Sequence, residues 1–173
     1  MTVHIALLRA VNVGGTGKLP MSELRALAED LGLRDVSTYI QSGNLIFRDD
    51  EDATSVAGRL DASLAERLGK PPGVFVRSAS ELDAILAANP FPDAIPSQLL
   101  VTFFAELLPD NALSGLMAPD GEEVVVLGRE IYVHYPIGVG RSRLKLPVLR
   151  HGTARNINTV AKLSQMAHAL GEA

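Results

Sequence analysis

Asp35-Val36-Ser37-Thr38-Tyr39-Ile40-Gln41-Ser42-Gly43-Asn44-Leu45-Ile46-Phe47 is the stretch on which the fold turns. Two runs rich in β-branched and aromatic residues flank a Ser-Gly-Asn corner, the pattern of a β-hairpin. Gly43 reaches φ > 0 without steric cost, and Ser42 and Asn44 are natural turn formers. Gln41, Ser42 and Asn44 put three polar side chains on a corner that closes with fewer. This surplus marks the corner as a candidate site without naming a reaction.

Working outward, Val3 to Ala10 reads as a first strand, followed by a polar, glycine-rich loop from Asn12 to Lys18. Pro20 stands where a helix begins, and Met21, Leu24, Ala28 and Leu31 recur at helical spacing. Gly32 ends that helix. After the hairpin, acidic residues 49 to 52 precede a helix with the stripe Val56, Leu60, Leu64 and Leu68, where negative charge suits the helix dipole. The run from Gly69 to Gly73 breaks it, and Val74-Phe75-Val76 is a fourth strand. The order β-α-β-β-α-β is the ferredoxin-like pattern, with helices on one face of an antiparallel sheet.

Ser78 and Glu81 have capping-box spacing before Leu82, Ile85 and Leu86. Pro90, Pro92 and Pro96 mark a rigid connection. Beyond it the sequence predicts a strand over Leu99 to Ala105 and a short helix over Pro109 to Met117. A hairpin from Glu123 to Tyr135 turns at Gly128-Arg129. A loop follows from Gly138 to Arg143, then a last helix striped by Ile157, Val160, Leu163, Ala167 and Leu170. The element order of the first half recurs without its sequence. The expected fold is therefore α+β, two ferredoxin-like halves related by an internal duplication. Residues 1–89 form the first half, 90–97 the connection and 98–173 the second half. A single larger α+β sheet is the alternative.

The chain has 173 residues, 47% of them hydrophobic, which suffices for a real core. It has no cysteine, so thiolate metal sites, thiol nucleophiles and disulfides are excluded. No stretch approaches the length of a membrane span and no leader pattern opens the chain, so a soluble, cytoplasmic protein is expected. The net charge of −4 is unevenly spread. Residues 141–173 carry six bases against Glu172, a balance of +5, and the first 140 residues carry −9. Such asymmetry hints at an anionic partner, and a basic face that balances acidic helices explains it equally well.

Three further stretches bear on function. Asn12 to Leu19 lies between strand and helix, as a phosphate loop does. Walker A spacing, however, needs Gly where Asn12 stands and Ser or Thr where Leu19 stands. An ATPase loop is rejected, and a general anion-holding loop with Gly14, Gly15 and Lys18 survives beside the plainer reading of a flexible connection. Thr153, Asn156, Asn158 and Thr159 offer more caps than the last helix needs, next to Arg155, and a helix start with a guanidinium suits a carboxylate or phosphate. Gly138 to Leu146 supplies glycines and three cations. No RNA-recognition strand signature appears and few aromatics are present to stack bases, which places nucleic acid second. His4, His134, His151 and His168 lack metal-ligand spacing, so no metal site is expected, and no pattern identifies a cofactor. Ser42 lies outside a G-x-S-x-G frame, so no catalytic triad is assigned.

Three blocks carry a resemblance: Leu7-Leu8-Arg9-Ala10-Val11-Asn12-Val13-Gly14-Gly15, Thr38-Tyr39-Ile40-Gln41-Ser42-Gly43-Asn44, and Thr153-Ala154-Arg155-Asn156-Ile157-Asn158-Thr159. With them the chain resembles the bacterial family called domain of unknown function 1697 over nearly its whole length. Ala10 and Val11 stand where the family usually has Gly and Ile, and Arg143 stands where it often has Lys. Ile157 replaces a frequent aromatic, so a stacking role at that position does not carry over. The resemblance implies a paired ferredoxin-like architecture and no established activity.

The reading that best fits the polar surplus is a pocket for a small anionic or polar molecule between the two halves. Arg9, Asn12, Gly14, Gly15, Lys18, Gln41, Ser42 and Asn44 would come from the first half. Arg141, Ser142, Arg155, Asn156 and Asn158 would come from the second. Nucleic-acid binding by the basic C-terminal segment is the runner-up, and a structural or protein-interaction module is the third reading. The oligomeric state and any reaction are left open.

Overall fold

The computed structural model describes residues 1–9, 19–40 and 43–172. Its elements run β1 (Thr2–Leu8), α1 (Met21–Asp30), β2 (Arg34–Thr38), β3 (Asn44–Asp49), α2 (Ala53–Leu68), β4 (Val74–Arg77), α3 (Ala79–Ala87), β5 (Leu99–Phe103), β6 (Glu123–Leu127), β7 (Glu130–His134), β8 (Thr153–Asn156) and α4 (Ile157–Glu172). They build two four-stranded antiparallel sheets, β2-β3-β1-β4 and β6-β7-β5-β8. Numbered within its own sheet, each follows the order 2-3-1-4 of a ferredoxin-like fold. The architecture is α+β with two similar halves.

The chain divides into two compact units, Met1–Asp83 with Lys162–Ala173, and Ala84–Ala161. Helices α3 and α4 each begin in one unit and end in the other, so these units differ from the halves read by element order.

In the first unit, local chemistry sets the element ends. The Asp52 carboxylate accepts from Ser55 N–H at 2.8 Å and caps α2. Gly69 closes that helix at φ 88°, and Gly32 turns out of α1 at φ 89°, conformations that favour glycine. Ser78 and Glu81 form a reciprocal capping box. Ser78 N–H donates to Glu81 at 2.9 Å, and Glu81 N–H donates to the Ser78 hydroxyl at 3.1 Å. One face of the first sheet, with Ala6, Leu8, Leu45, Phe47 and Val76, packs against Leu24 and Ala28 of α1 and Val56, Leu60 and Leu64 of α2. The cross-strand pairs Ile5↔Ile46, Ile5↔Arg77 and Leu7↔Phe75 place these residues on the other face, and they are buried too.

In the second unit, Ile131, Val133, Tyr135, Phe104 and Leu146 make the core on one face of the sheet. Two expectations need correction here. Pro109 to Met117 is not a helix but a run of tight turns, with Ala112 N–H bonded to Pro109 O, Ser114 to Asn111 and Leu116 to Leu113. Asn111, Ser114 and Gly115 favour turns, and Gly115 sits at φ 80°, which a right-handed helix excludes. Residues 153–156, read as the polar lead-in to the last helix, are the strand β8, antiparallel to β5 from Leu100↔Asn156 to Phe103↔Thr153, and α4 follows at Ile157. The segment between β7 and β8 is built from 3-10 turns at Val139–Arg141 and Pro147–His151.

Candidate functional site

β1 is an inner strand, bonded to β3 on one side and β4 on the other. The chain therefore brings three connections to the edge where β1 ends: the segment after Arg9, the loop before β3 and the loop before β4. Leu8 N–H donates to Gly43 O at 2.9 Å, and Arg9 N–H donates to Gly73 O at 3.0 Å. Arg9 Nε donates to Pro72 O at 3.2 Å. A Cβ on Gly73 would meet Arg9 Nε at 3.5 Å, and Gly73 itself lies at φ 94°. The stem of Arg9 thus lies along Gly73, where a side chain would touch it at ordinary contact distance and be strained by the positive φ.

The β2–β3 loop is closed by Asn44. Its backbone carbonyl accepts from Tyr39 N–H at 3.2 Å, and its side-chain amide donates to Tyr39 O at 2.9 Å. Asn44 is fully buried. Inside the loop Ile40 holds φ 52°, a left-handed conformation that a β-branched residue adopts at a cost, while its side chain stays half exposed. The buried Asn44 amide helps hold the loop in that shape.

Arg9 and Asn44, which the sequence reading assigned to the first half, lie at one end of one sheet. Asn12, Gly14, Gly15, Lys18, Gln41 and Ser42 lie outside the described residues. Asp61, whose carboxylate accepts from Gly73 N–H at 2.9 Å, and strained Ile40 were missed by the sequence reading. Asp61 sits within a helix, twelve residues from its partner, and only the Gly after two prolines hinted that this loop mattered.

The second group is more dispersed. Arg155 is buried in β8 and donates from Nη1 to the Thr153 hydroxyl at 2.6 Å and to Ala154 O at 2.9 Å. Burial pushes its guanidinium down to about 10. Asn156 caps α4, its side-chain oxygen accepting from Thr159 N–H at 2.9 Å. The Ser142 hydroxyl donates to buried Glu122 at 2.6 Å, and Arg143 forks onto Asp120 with contacts of 2.8 and 3.3 Å. The Arg143 guanidinium holds the Asp120 carboxyl below its usual range. Arg141 and Asn158 are exposed. Glu122 leads into β6 and Asn156 ends β8, on opposite edges of the four-stranded sheet, so three strand spacings, roughly 14 Å, separate them. Ser142 and Asn156 do not share one small site. Of the basic segment, Arg143 is spent on Asp120 and Arg155 is buried.

Among the described residues no three His, Cys, Asp or Glu side chains gather as a metal site. No helix of the described chain is long and apolar enough to cross a membrane.

The family described as "Protein of unknown function (DUF1697)" matches residues 1–132. The chain belongs to the DUF1697 family. The match takes in β1, the β2–β3 loop and the Arg9 corner. A solved structure described as a conserved bacterial protein, SP0830, from Streptococcus pneumoniae is similar over 96% of this chain and 98% of that one, with a TM-score of 0.75 and 24% identity. That likeness speaks to the fold alone. No curated protein matches the sequence.

Proposed function

We propose that this DUF1697 protein binds a small anionic or polar molecule at the corner where β1 ends, with Arg9 as its charged contact. One observation carries the reading. The Arg9 backbone is pinned to the loop before β4 and its Nε is held by Pro72 O, so a planar guanidinium is pre-oriented at this corner, the kind of group that recognises a planar anion. The left-handed Ile40 in the neighbouring loop supports it, because strained backbone tends to gather at ligand sites. The reading extends to the polar residues adjoining in sequence: Asn12, Gly14, Gly15 and Lys18 after Arg9, and Gln41 and Ser42 before Gly43.

The test is native mass spectrometry for a copurified ligand, followed by a thermal-shift screen of anionic and polar metabolites. A ligand at ~100 times its Kd stabilises the folded state by ~2.7 kcal/mol. For a chain of this size that raises the melting temperature by about 5–11 °C. Arg9→Lys keeps the charge and loses the fork, and is expected to weaken binding by roughly 10- to 150-fold. A screen in which no anionic compound shifts melting refutes the reading. So does an Arg9→Lys protein with lower apo stability and unchanged affinity.

A further inference from the structure

The sequence does not treat its sheet edges alike. An edge strand presents a row of unpaired N–H and C=O groups, which chains blunt with charges, bulges or shortness. β2 begins with the charged pair Arg34-Asp35, shifts register between Arg34 and Ser37, and holds Asp35 at φ 52°. β4 and β8 have four residues each, and each includes an arginine. β6 has no bulge and a single charge, Glu123 at its start. Glu123-Val124-Val125-Val126-Leu127 pairs with β7 in unbroken register, from Glu123↔His134 to Leu127↔Glu130.

The two-residue loop Gly128-Arg129 fixes which backbone groups of β6 face outward. Gly128 takes φ 62°, and the pair that closes such a hairpin exchanges its hydrogen bonds. Leu127, Val125 and Glu123 therefore bond inward to β7, and the N–H and C=O groups of Val124 and Val126 point away from the sheet. Among the described residues no other backbone segment bonds to them.

The side chains of Glu123, Val125 and Leu127 share one face. At the Glu123 end that face meets a groove of about 470 Å³, lined by Phe91, Asp93, Ile95, Glu123 and His134 among others, with no lysine or arginine. The Phe91 and His134 rings lie 5.7 Å apart, Ile95 is well exposed, and both carboxylates are exposed. An aromatic ring flanked by two carboxylates suits a cation on an apolar stem.

We propose that the outer edge of β6 and this groove dock an extended peptide segment of a partner protein, added antiparallel to β6. Its main chain bonds Val124 and Val126, as in strand addition, and alternate side chains set specificity. Residues opposite Leu127 and Val125 are apolar. The residue opposite Glu123 is basic and enters the groove between Glu123 and Asp93. Read from its N-terminus, the segment is apolar-x-apolar-x-basic. A second copy of the chain fits less well, because antiparallel self-pairing about Val125 sets each Glu123 carboxylate opposite an apolar Leu127.

The probe is a fluorescein-labelled peptide with the core Val-Thr-Val-Thr-Lys, followed by anisotropy on the full chain. Saturable binding is expected. N-methylation of the two threonines, which removes the N–H groups aimed at β6, should weaken it by about 10-fold or more. Glu123 is largely exposed, so Glu123→Lys leaves the fold intact, as a melting curve checks. That variant should lose the lysine peptide by about 10-fold or more and regain affinity for the same peptide with glutamate in place of lysine. Absence of saturable binding overturns the proposal, as does binding indifferent to N-methylation or without charge-swap rescue. Sedimentation velocity showing copies paired through β6 also overturns it, with a second copy as the occupant.

Discussion

Gly152 leads into β8, and its backbone at φ −116°, ψ −171° is one that any residue adopts. Space, not conformation, demands glycine there. A Cβ at this position would stand 2.5 Å from the backbone oxygen of Phe103, 2.8 Å from Thr102 Cγ2 and 3.0 Å from Phe104 Cε1. Ordinary contact begins near 3.4 Å, so the Phe103 carbonyl would have to retreat by nearly 1 Å. Phe103 is fully buried on β5, the strand to which β8 pairs, so the retreat would disturb a packed core. Overpacking of this kind costs ~1–3 kcal/mol. For a chain of this size, Gly152→Ala should therefore lower the melting temperature by about 2–12 °C. Gly58 is the control. It lies in α2 with nothing within 4 Å of its added Cβ, so Gly58→Ala should stabilise by ~0.4–1 kcal/mol through the unfolded chain and raise melting by about 1–4 °C. Circular dichroism melts give both values, and urea titration shows whether the midpoint moves at constant slope. Opposite signs are the expectation. A Gly152→Ala protein that melts with the parent refutes the packing argument.

Three other outcomes follow from the geometry. The Ser164 hydroxyl donates to Asp83 at 2.6 Å and His168 meets the same carboxylate at 2.7 Å, which together hold the Asp83 pKa below its ordinary value. The stability this confers is complete above the ordinary carboxylate pKa and lost as pH falls through the lowered folded value. Asp83→Asn should thus lower melting at pH 7, with the gap closing in acid. Burial pushes the Tyr132 phenol up to about 12, and its hydroxyl donates to Ile85 O at 2.7 Å. The folded state then holds a proton that the unfolded chain releases near 10, so stability should fall between about pH 10 and 12, and Tyr132→Phe should flatten that fall in alkaline melts. Arg155 is buried and its Nη1 donates to both Thr153 and Ala154. Arg155→Lys, which removes the planar guanidinium and places a shorter, more strongly hydrated ammonium in that site, should lower apo melting at a cost of ~1.5–3 kcal/mol, and an unchanged melt would refute that packing role.

Much of this fold was legible because its signals are local. The capping box at Ser78 and Glu81, the glycines at 32 and 69 and the stripe Val56, Leu60, Leu64 act within a few residues of themselves. β8 was not legible for the opposite reason. Thr-Ala-Arg-Asn has little strand character, and it is a strand because β5, some fifty residues earlier, offers it an edge. The helix expected from Pro109 lost to turn-forming Asn111, Ser114 and Gly115, whose preference outweighs a short apolar spacing. At the site, the polar surplus around Arg9 and Asn44 was readable from the sequence. The spread of Ser142 and Asn156 across a sheet was not, because sheet order is set by pairing between distant segments.

The division of the chain also has a consequence for its birth on the ribosome. Residues from Lys162 onward belong with Met1–Asp83, where Ser164 meets Asp83 and the Arg48 guanidinium bonds Leu170 O. The first sheet and its α1/α2 core lie within the first 83 residues, but the first unit's α4 contacts cannot form when those residues emerge. Translation must add roughly 90 more, a wait of about 5–18 s at 5–20 residues per second. Ala84–Ala161, an uninterrupted run, is fully translated before the last piece of its older neighbour exists. Vectorial synthesis thus leaves a nascent chain in which Ala84–Ala161 is fully translated while the first unit still lacks its last piece, the final turns of α4.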